Sequence, residues 1–358
     1  MPTINEIVFD RGVAHQVGIL RFSSGVRNRI LGLLREVEDD LRDQITTRLA
    51  KIEARGVDIG PATTARLQAL LGQVQEINSN GYAKISDTLI EELKAAGSFE
   101  VDFTARMLEA SVRSNLAILL PTATQIGTIV TAQPLRGRIL SDVLGDLPRN
   151  ATQRINEAIR IGLIEGQSSA QITRSIFGTA ARGFDDGVQR FTRRGLAMVV
   201  NTSINHVMSR SREALFMQNR DLIGRVMWVS TLDTRTTPIC QHRDKMVFDV
   251  GKGPRPPAHP NCRSTTVALL NGQKDLLGER ASDVGGVPAE TDYEDFLRRI
   301  QDDPAALSMA LNAKQRAALF RDGGLSLDDL INDTTENFFT LEQLRENHAQ
   351  AFVRAGID

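Results

Sequence analysis

Aromatic side chains are scarce here: 358 residues hold one Trp, two Tyr and 14 Phe, 5% of the chain. A platform that stacks single-stranded nucleic acid on interleaved aromatics and cations has little to draw on. Cysteine is scarcer still, with two in the whole sequence, which excludes a disulfide framework and makes their position the informative feature. No apolar run suits a bilayer. The uncharged stretch from Ser114 to Leu135 comes nearest, but it contains Pro121, Pro134, two Gln and four Thr, too polar for the ~20 residues of a spanning helix. The start, Met1-Pro2-Thr3-Ile4-Asn5-Glu6, lacks the basic and apolar regions of a secretory signal, so the expectation is cytoplasmic synthesis and no membrane partner. Also missing are a Walker A loop, a G-x-G-x-x-G turn and a paired-carboxylate signature. Asp185-Asp186 reads as a helix-start or turn feature.

What is present begins with charge. The net is −1, yet residues 1–150 carry −1, residues 151–271 carry +8 and residues 272–358 carry −8 when Lys and Arg are set against Asp and Glu. A basic middle and an acidic tail imply a polyanionic partner, a tail that folds back, or docking on an acidic protein surface. On the basic segment, Arg190, Arg193, Arg194, Arg210 and Arg212 fall on a helical pattern from about Phe184 to Asn219. They are candidates for facing double-stranded DNA, against the plainer reading of a solvated helix face.

Helical periodicity dominates. Val26, Ile30, Leu33, Leu34, Val37, Leu41, Ile45, Leu49 and Ile52 recur at steps of three and four, which predicts one long helix. Arg55-Gly56 is its expected stop, and Pro61 the first residue of a second helix through Leu67, Leu70, Leu71, Val74 and Ile77. Asn80-Gly81 predicts a break before Ile85, Leu89 and Leu93 resume the pattern. The two helices are expected to pack antiparallel, either within one chain or as the stalk of a homo-oligomer. Further on, Ile155, Ile159, Leu163 and Ile164 predict a helix ending at Glu165-Gly166-Gln167, and Ser168 with Gln171 forms a capping box for the next. Along the basic helix, Val188, Phe191, Val199, Val200, Ile204, Val207, Leu215 and Phe216 are the expected buried positions. Arg225 to Ser230 and Met246 to Phe248 read as short strands. In the tail, helix starts are expected at Thr291 with Glu294, at Asn312, at Ser326 and at Thr340 with Gln343. The expected fold is mainly α with a small α+β core. Its divisions are a helical region at 1–113, an uncharged connector at 114–149, a core at 150–271 and an acidic helical region at 272–358.

One window concentrates the chemistry. Both cysteines, two of the five histidines and five of the 12 prolines fall between Asp233 and Arg263. Cys240-x-His242 followed by His259-x-x-Cys262 fits a four-ligand structural zinc site, because two ligand pairs on separate loop arms can close a tetrahedron. The same residues also read as a Cys240–Cys262 disulfide formed in an oxidising medium, or as buried thiols beside hydrogen-bonded histidines. A cysteine hydrolase with Cys240 as nucleophile, His259 as base and Asp233 as orienter is disfavoured, since no Gly-rich oxyanion turn flanks Cys240. Without chemistry, Asp233 would hold an Asx turn after the Trp228 strand, with Arg235 or Arg263 as a fork-like partner. Pro256, Pro257 and Pro260 would stiffen the loop.

The string Trp228-Val-Ser-Thr-Leu-Asp233-Thr-Arg235-Thr236, then Cys240, Val247-Phe248 and Pro256-Pro257-Ala-His259-Pro-Asn261-Cys262-Arg263-Ser264, resembles the motif of the phage Mu F-type head morphogenesis proteins, the minor head proteins of tailed phages. The likeness reaches upstream to Glu165-Gly166-Gln167-Ser168 and Asn201-Thr202-Ser203-Ile204-Asn205, and less specifically to Leu311–Phe320 and Gly323–Asp328. Asp244-Lys245 stands where the family often has Asp-Gly, which leaves that turn open, since Lys tolerates positive φ poorly. His242 is not a consistent part of the family pattern. The resemblance implies a non-enzymatic minor capsid protein of the virion, made in the bacterial cytoplasm. It would sit in the capsid interior or at the portal vertex, meet the portal, scaffold or major capsid protein, and act in DNA packaging or ejection. A zinc-dependent enzyme acting on nucleic acid, or an effector reusing the phage module, is the alternative.

Overall fold

A computed structural model describes residues 3–54, 61–112, 117–272 and 279–357. The protein is mainly α with a little antiparallel sheet. Contacts divide it into two units: residues 21–97 with 123–207, and residues 1–20 with 98–122 and 208–358.

Two long helices, α1 (Ile4–Glu53) and α2 (Pro61–Ser111), contribute to both. In the first unit they pair antiparallel within one chain: Arg29 bonds Glu92, Glu36 bonds Lys84 and Arg48 bonds Gln73. Between them lie the buried Ile30, Leu34, Leu41 and Ile45 of α1 with Leu70, Val74, Ile85 and Leu89 of α2. The expected break at Asn80-Gly81 does not exist, as α2 runs unbroken through it. Gly81 instead lets the helices touch: a Cβ there would lie 2.2 Å from Cγ2 of Val37. The glycine serves close approach rather than a turn. The expected stop at Arg55-Gly56 lies outside the described residues.

Helix α3 (Ala123–Ala132) occupies part of the uncharged stretch and buries Ile126, Ile129 and Val130. Helix α4 (Leu140–Ile164) ends with Gly166 in the left-handed region at φ +68, where a Cβ would be strained. The Ser168/Gln171 capping box then opens α5 (Ser169–Phe177) as the sequence predicts. A 3-10 turn at Ala180–Arg182 leads into α6 (Gln189–Gln218). Asp186 sits in the turn between them and accepts bonds from both the N–H and the hydroxyl of Thr179. Phe191 departs from the expectation of burial: it is exposed, with the Arg190 guanidinium 4.6 Å over its ring.

The second unit is built on a three-stranded antiparallel sheet in the order β2-β1-β3. Its strands are β1 (Ile223–Val229), β2 (Val247–Asp249) and β3 (Thr265–Leu270). Between β1 and β2 lies the short helix α7 (Pro238–Arg243). Strand β3 carries no strand signal in the sequence, although it is buried at every position. A run from Thr265 to Leu270 with both faces covered has no alternation to betray it. The start of α1 packs on this strand: Asn5 accepts from the Leu270 N–H at 3.0 Å, and a Cβ on Gly12 would meet Val267 at 3.1 Å.

The tail adds a hairpin of β4 (Glu279–Ser282) and β5 (Gly285–Pro288), then α8 (Tyr293–Arg299), α9 (Pro304–Ala310), α10 (Lys314–Arg321) and α11 (Leu327–Leu330). A two-residue pairing of β6 (Ile331–Asn332) with β7 (Asn337–Phe338) precedes α12 (Leu341–Asn347) and α13 (Ala349–Ala355). Capping boxes at Ser326 and Thr340 match the sequence reading. That at Thr291 with Glu294 is displaced by one residue, to Asp292 with Asp295. Thr291 is buried and its carbonyl accepts from Arg280, whereas the Asp292 carboxylate reaches the Asp295 N–H at 2.8 Å. Asn312 does not cap α10 either; it takes φ +53 after α9, and Ala313 is the residue before the helix.

The tail folds back on the window. Gln241 donates to the Ala310 carbonyl at 2.9 Å, Tyr293 donates its hydroxyl to the Asp233 carbonyl at 2.6 Å, and Arg243 pairs with Glu336. Part of the opposite charge of the middle and tail segments is thereby joined inside one unit. Buried Tyr293, Phe296, Leu307, Leu319, Phe320 and Phe352 form the core beneath.

Candidate functional site

Trp228 on β1 is fully buried, and its indole N–H donates to Ser230 Oγ at 3.0 Å. Ser230 donates in turn to the Cys240 carbonyl at 2.6 Å, which ties the strand end to α7. A buried ion pair fixes the other side of Ser230. Asp244 accepts from the Ser230 N–H at 2.8 Å, and Arg280 donates to Asp244 at 2.9 and 3.0 Å and to the Ser230 carbonyl at 2.6 Å. Buried charges at this depth are tolerable only because nearly every donor has an acceptor. Nothing in the sequence marks Ser230 and Asp244 as partners, and Arg280 comes from a hairpin 36 residues beyond Asp244.

Lys245 follows in the left-handed region at φ +67, so the turn keeps the geometry of an Asp-Gly turn with a lysine in it. Its Nζ donates to the Ala289 carbonyl and lies 4.3 Å from the centroid of the Phe9 ring. Burial, reinforced by the nearby Arg280 charge, brings its pKa down to about 8. These contacts hold a conformation that a lysine would otherwise avoid.

Asp233 closes an Asx turn. Its carboxylate accepts from the Arg235 N–H at 3.0 Å and the Thr236 hydroxyl at 3.2 Å, and Arg263 grips both its oxygens, Nη2 to Oδ1 at 2.8 Å. Burial opposes its charge, but Arg263 outweighs it and holds the carboxyl below the ordinary aspartate range. The Arg235 side chain is mostly exposed and only 3.5 Å from Oδ2, so Arg263 supplies the fork. Asn261 takes φ +57 in the turn that brings the Cys262 N–H to the His259 carbonyl at 3.1 Å. Pro257 follows a cis peptide bond in the same loop.

The chain brings Cys240, His259 and Cys262 together, with donor atoms all within 4.8 Å of one another. Cys240 Sγ lies 3.2 Å from His259 Nε2 and 3.7 Å from Cys262 Sγ. Both thiols are buried against Trp228. Cys240 donating to it, with His259 alongside, holds the Cys262 thiol well below the ordinary range; the same bond and burial hold Cys240 well above it. His242, expected as a fourth ligand, is not in this group: its Nδ1 points toward Asp333, 3.9 Å away. Two positions apart on a helix, residues 240 and 242 point about 200° away from each other. Asp233 does not orient His259 either, because His259 Nδ1 is bonded to the Pro260 carbonyl at 2.9 Å.

The five arginines separate. Arg212 faces inward and cannot meet DNA. It bonds Glu100 at 2.6 Å, the Thr266 carbonyl at 2.9 Å and the Thr265 hydroxyl, while His15 takes the other Glu100 oxygen at 2.7 Å. Despite full burial, Arg212 and His15 bring the Glu100 pKa down to about 2. Arg210 is half-buried near Glu213 and Arg255, and burial lowers its pKa. Arg193 is clamped to the buried Glu38. Arg190 donates to the Asp185 carbonyl, and the exposed Arg194 lies 3.2 Å from the Asp185 carboxylate. A further buried pair, Arg255 with Glu213 at 2.7 and 2.9 Å, anchors the proline-rich loop; it too was unmarked in the sequence.

Residues 153–267, from within α4 to within β3, match the family model described as Phage Mu protein F like protein. This stretch carries the Trp228, Asp233, Cys240, His259, Cys262 and Arg263 arrangement, and over it the chain is similar to the phage Mu F-like family. No curated protein and no solved structure matches the chain. None of its described helices is long and apolar enough to cross a membrane.

Proposed function

We propose that this protein is a minor head protein of a tailed phage, acting by binding rather than turnover. The family match over residues 153–267 carries the reading. The geometry supports it: Arg263 clamps Asp233, and Trp228 and Ser230 tie the strand end to α7. Asp233 is engaged by Arg263, so a Cys240–His259 pair has no carboxylate to orient it, and Cys240 is buried. Such a domain offers a fixed surface to the portal, the scaffold or the major capsid protein. In the virion it would occupy the head interior or the portal vertex and influence packaging or ejection. Contact with packaged DNA falls on phosphate groups, with Arg190 and Arg194 as the available members of the arginine set. A self-association stalk draws no support from α1 and α2, whose apolar stripes meet within one chain.

The test is quantitative mass spectrometry of procapsids and mature heads induced from the cell that carries this gene. The expected result is a few copies per particle, with loss of infectivity when the gene is deleted. Particles that lack the protein and package DNA normally without it would overturn the reading.

A further inference from the structure

The three gathered donors suit a metal ion rather than a catalytic dyad. Zinc with bonds of about 2.3 Å to sulfur and 2.0–2.1 Å to nitrogen sets tetrahedral edges of about 3.8 Å between sulfurs and about 3.5 Å from sulfur to nitrogen. The observed separations are 3.7 Å between Cys240 Sγ and Cys262 Sγ, and 3.2 Å from Cys240 Sγ to His259 Nε2. Two edges of a tetrahedral face are therefore close to zinc's, and the third, between Cys262 Sγ and His259, is within 4.8 Å.

The surroundings match a ligand set as well. The Pro260 carbonyl accepts from His259 Nδ1, which fixes the tautomer whose Nε2 lone pair points at the sulfurs. The Ala258 N–H donates to Cys262, and the Ser264 hydroxyl lies against Cys240. The Ala258 bond favours the thiolate form of Cys262 that a metal requires. Two sulfurs and an imidazole favour zinc over hard cations such as magnesium or calcium.

We propose that Cys240, His259 and Cys262 bind one zinc ion per chain, with water in the fourth position and His242 outside the site. Zinc replaces whatever protons the two thiols hold, and these pass to solvent; the ion enters and stays as Zn(II), with no change of oxidation state. It would tie α7 to the proline-rich loop on which Cys262 lies, 22 residues further along the chain. The inference stands apart from the head-protein reading, since it concerns the three donors alone.

The experiment uses the full chain, purified under reducing conditions and reconstituted with zinc, read by native mass spectrometry and elemental analysis. Cobalt(II) serves as the spectroscopic probe. One zinc per chain is expected, with cobalt giving the intense visible bands of a four-coordinate site and thiolate-to-cobalt charge transfer. His259→Ala and Cys262→Ser should each weaken zinc binding at least tenfold, while His242→Ala should leave it within twofold. His259→Cys, which keeps a soft ligand, separates lost ligation from lost folding by restoring binding. The proposal is overturned by a folded, reduced chain that takes up no metal, by equal loss in His242→Ala, or by a chain whose two thiols close to a disulfide even in the presence of excess zinc.

Discussion

Arg280 and Asp244 meet at 2.9 and 3.0 Å with about 1% of each side chain exposed, and between them they hold both backbone groups of Ser230. The pair joins the tail hairpin to the end of β1, so the tail is part of the unit that presents the window. Removing one partner strands the other charge in a dry site. Arg280→Met is expected to cost about 3–5 kcal/mol, read as a lower urea midpoint. Arg298→Met, at an exposed pair with Glu294, should cost under about 1 kcal/mol. Similar midpoints for the two variants would contradict the burial argument.

Gly81 makes the opposite prediction to helix propensity. Alanine inside a helix normally gains about 1 kcal/mol over glycine, but here its Cβ would overlap Val37, whose branched side chain has little room to turn away. Gly81→Ala should therefore destabilise by about 1–3 kcal/mol. In a Val37→Ala background the sign should reverse, because the new methyl fills the space that was vacated. Thermal melts of the four chains in this cycle decide it.

Glu100 links stability to acid. Its folded pKa of about 2 lies below the unfolded carboxylate value, so the unfolded chain binds more protons between the two. The Glu100 contribution is full above about pH 4.3 and disappears as pH falls toward 2, on the order of 3 kcal/mol in all. Denaturant titrations across this range should show a steeper loss for the native chain than for Glu100→Gln. Parallel curves would place the acid sensitivity elsewhere.

Lys245 acts at the other end of the scale. With its folded pKa lowered to about 8, the unfolded lysine keeps its proton up to about pH 10.4 while the folded one releases it. Stability supplied at this position should rise between those limits. The measured quantity is the difference between the native chain and Lys245→Met, which cancels the other titrating groups. A flat difference from pH 8 to 10 would count against it.

For DNA, the arginine placement sets an order. If three phosphates are engaged, raising salt from 50 to 200 mM should weaken duplex binding roughly 40-fold. Arg194→Ala should reduce that dependence and Arg212→Lys should not, as measured by fluorescence anisotropy with a non-specific duplex. Binding that ignores salt would remove DNA from the proposed partners.

The helices are legible along the chain, because a 3.6-residue apolar repeat and a side-chain cap are local signals. Ile30 to Ile52, the Ser168 and Thr340 boxes and the Trp228 strand were all legible for that reason. The sequence also marks the window, since Cys240, His259 and Cys262 stand out by type and order. Which residues meet is settled by the folded chain. Gly81 reads as a break until Val37 lies against it; Arg212 reads as surface until Glu100, 112 residues earlier, accepts its charge. His242 reads as a ligand until its helix turns it toward Asp333. Strand β3 lacked alternation because both its faces are covered. Local periodicity is written along the chain, whereas burial and partnership depend on segments far apart in sequence and arise only when the chain closes on itself.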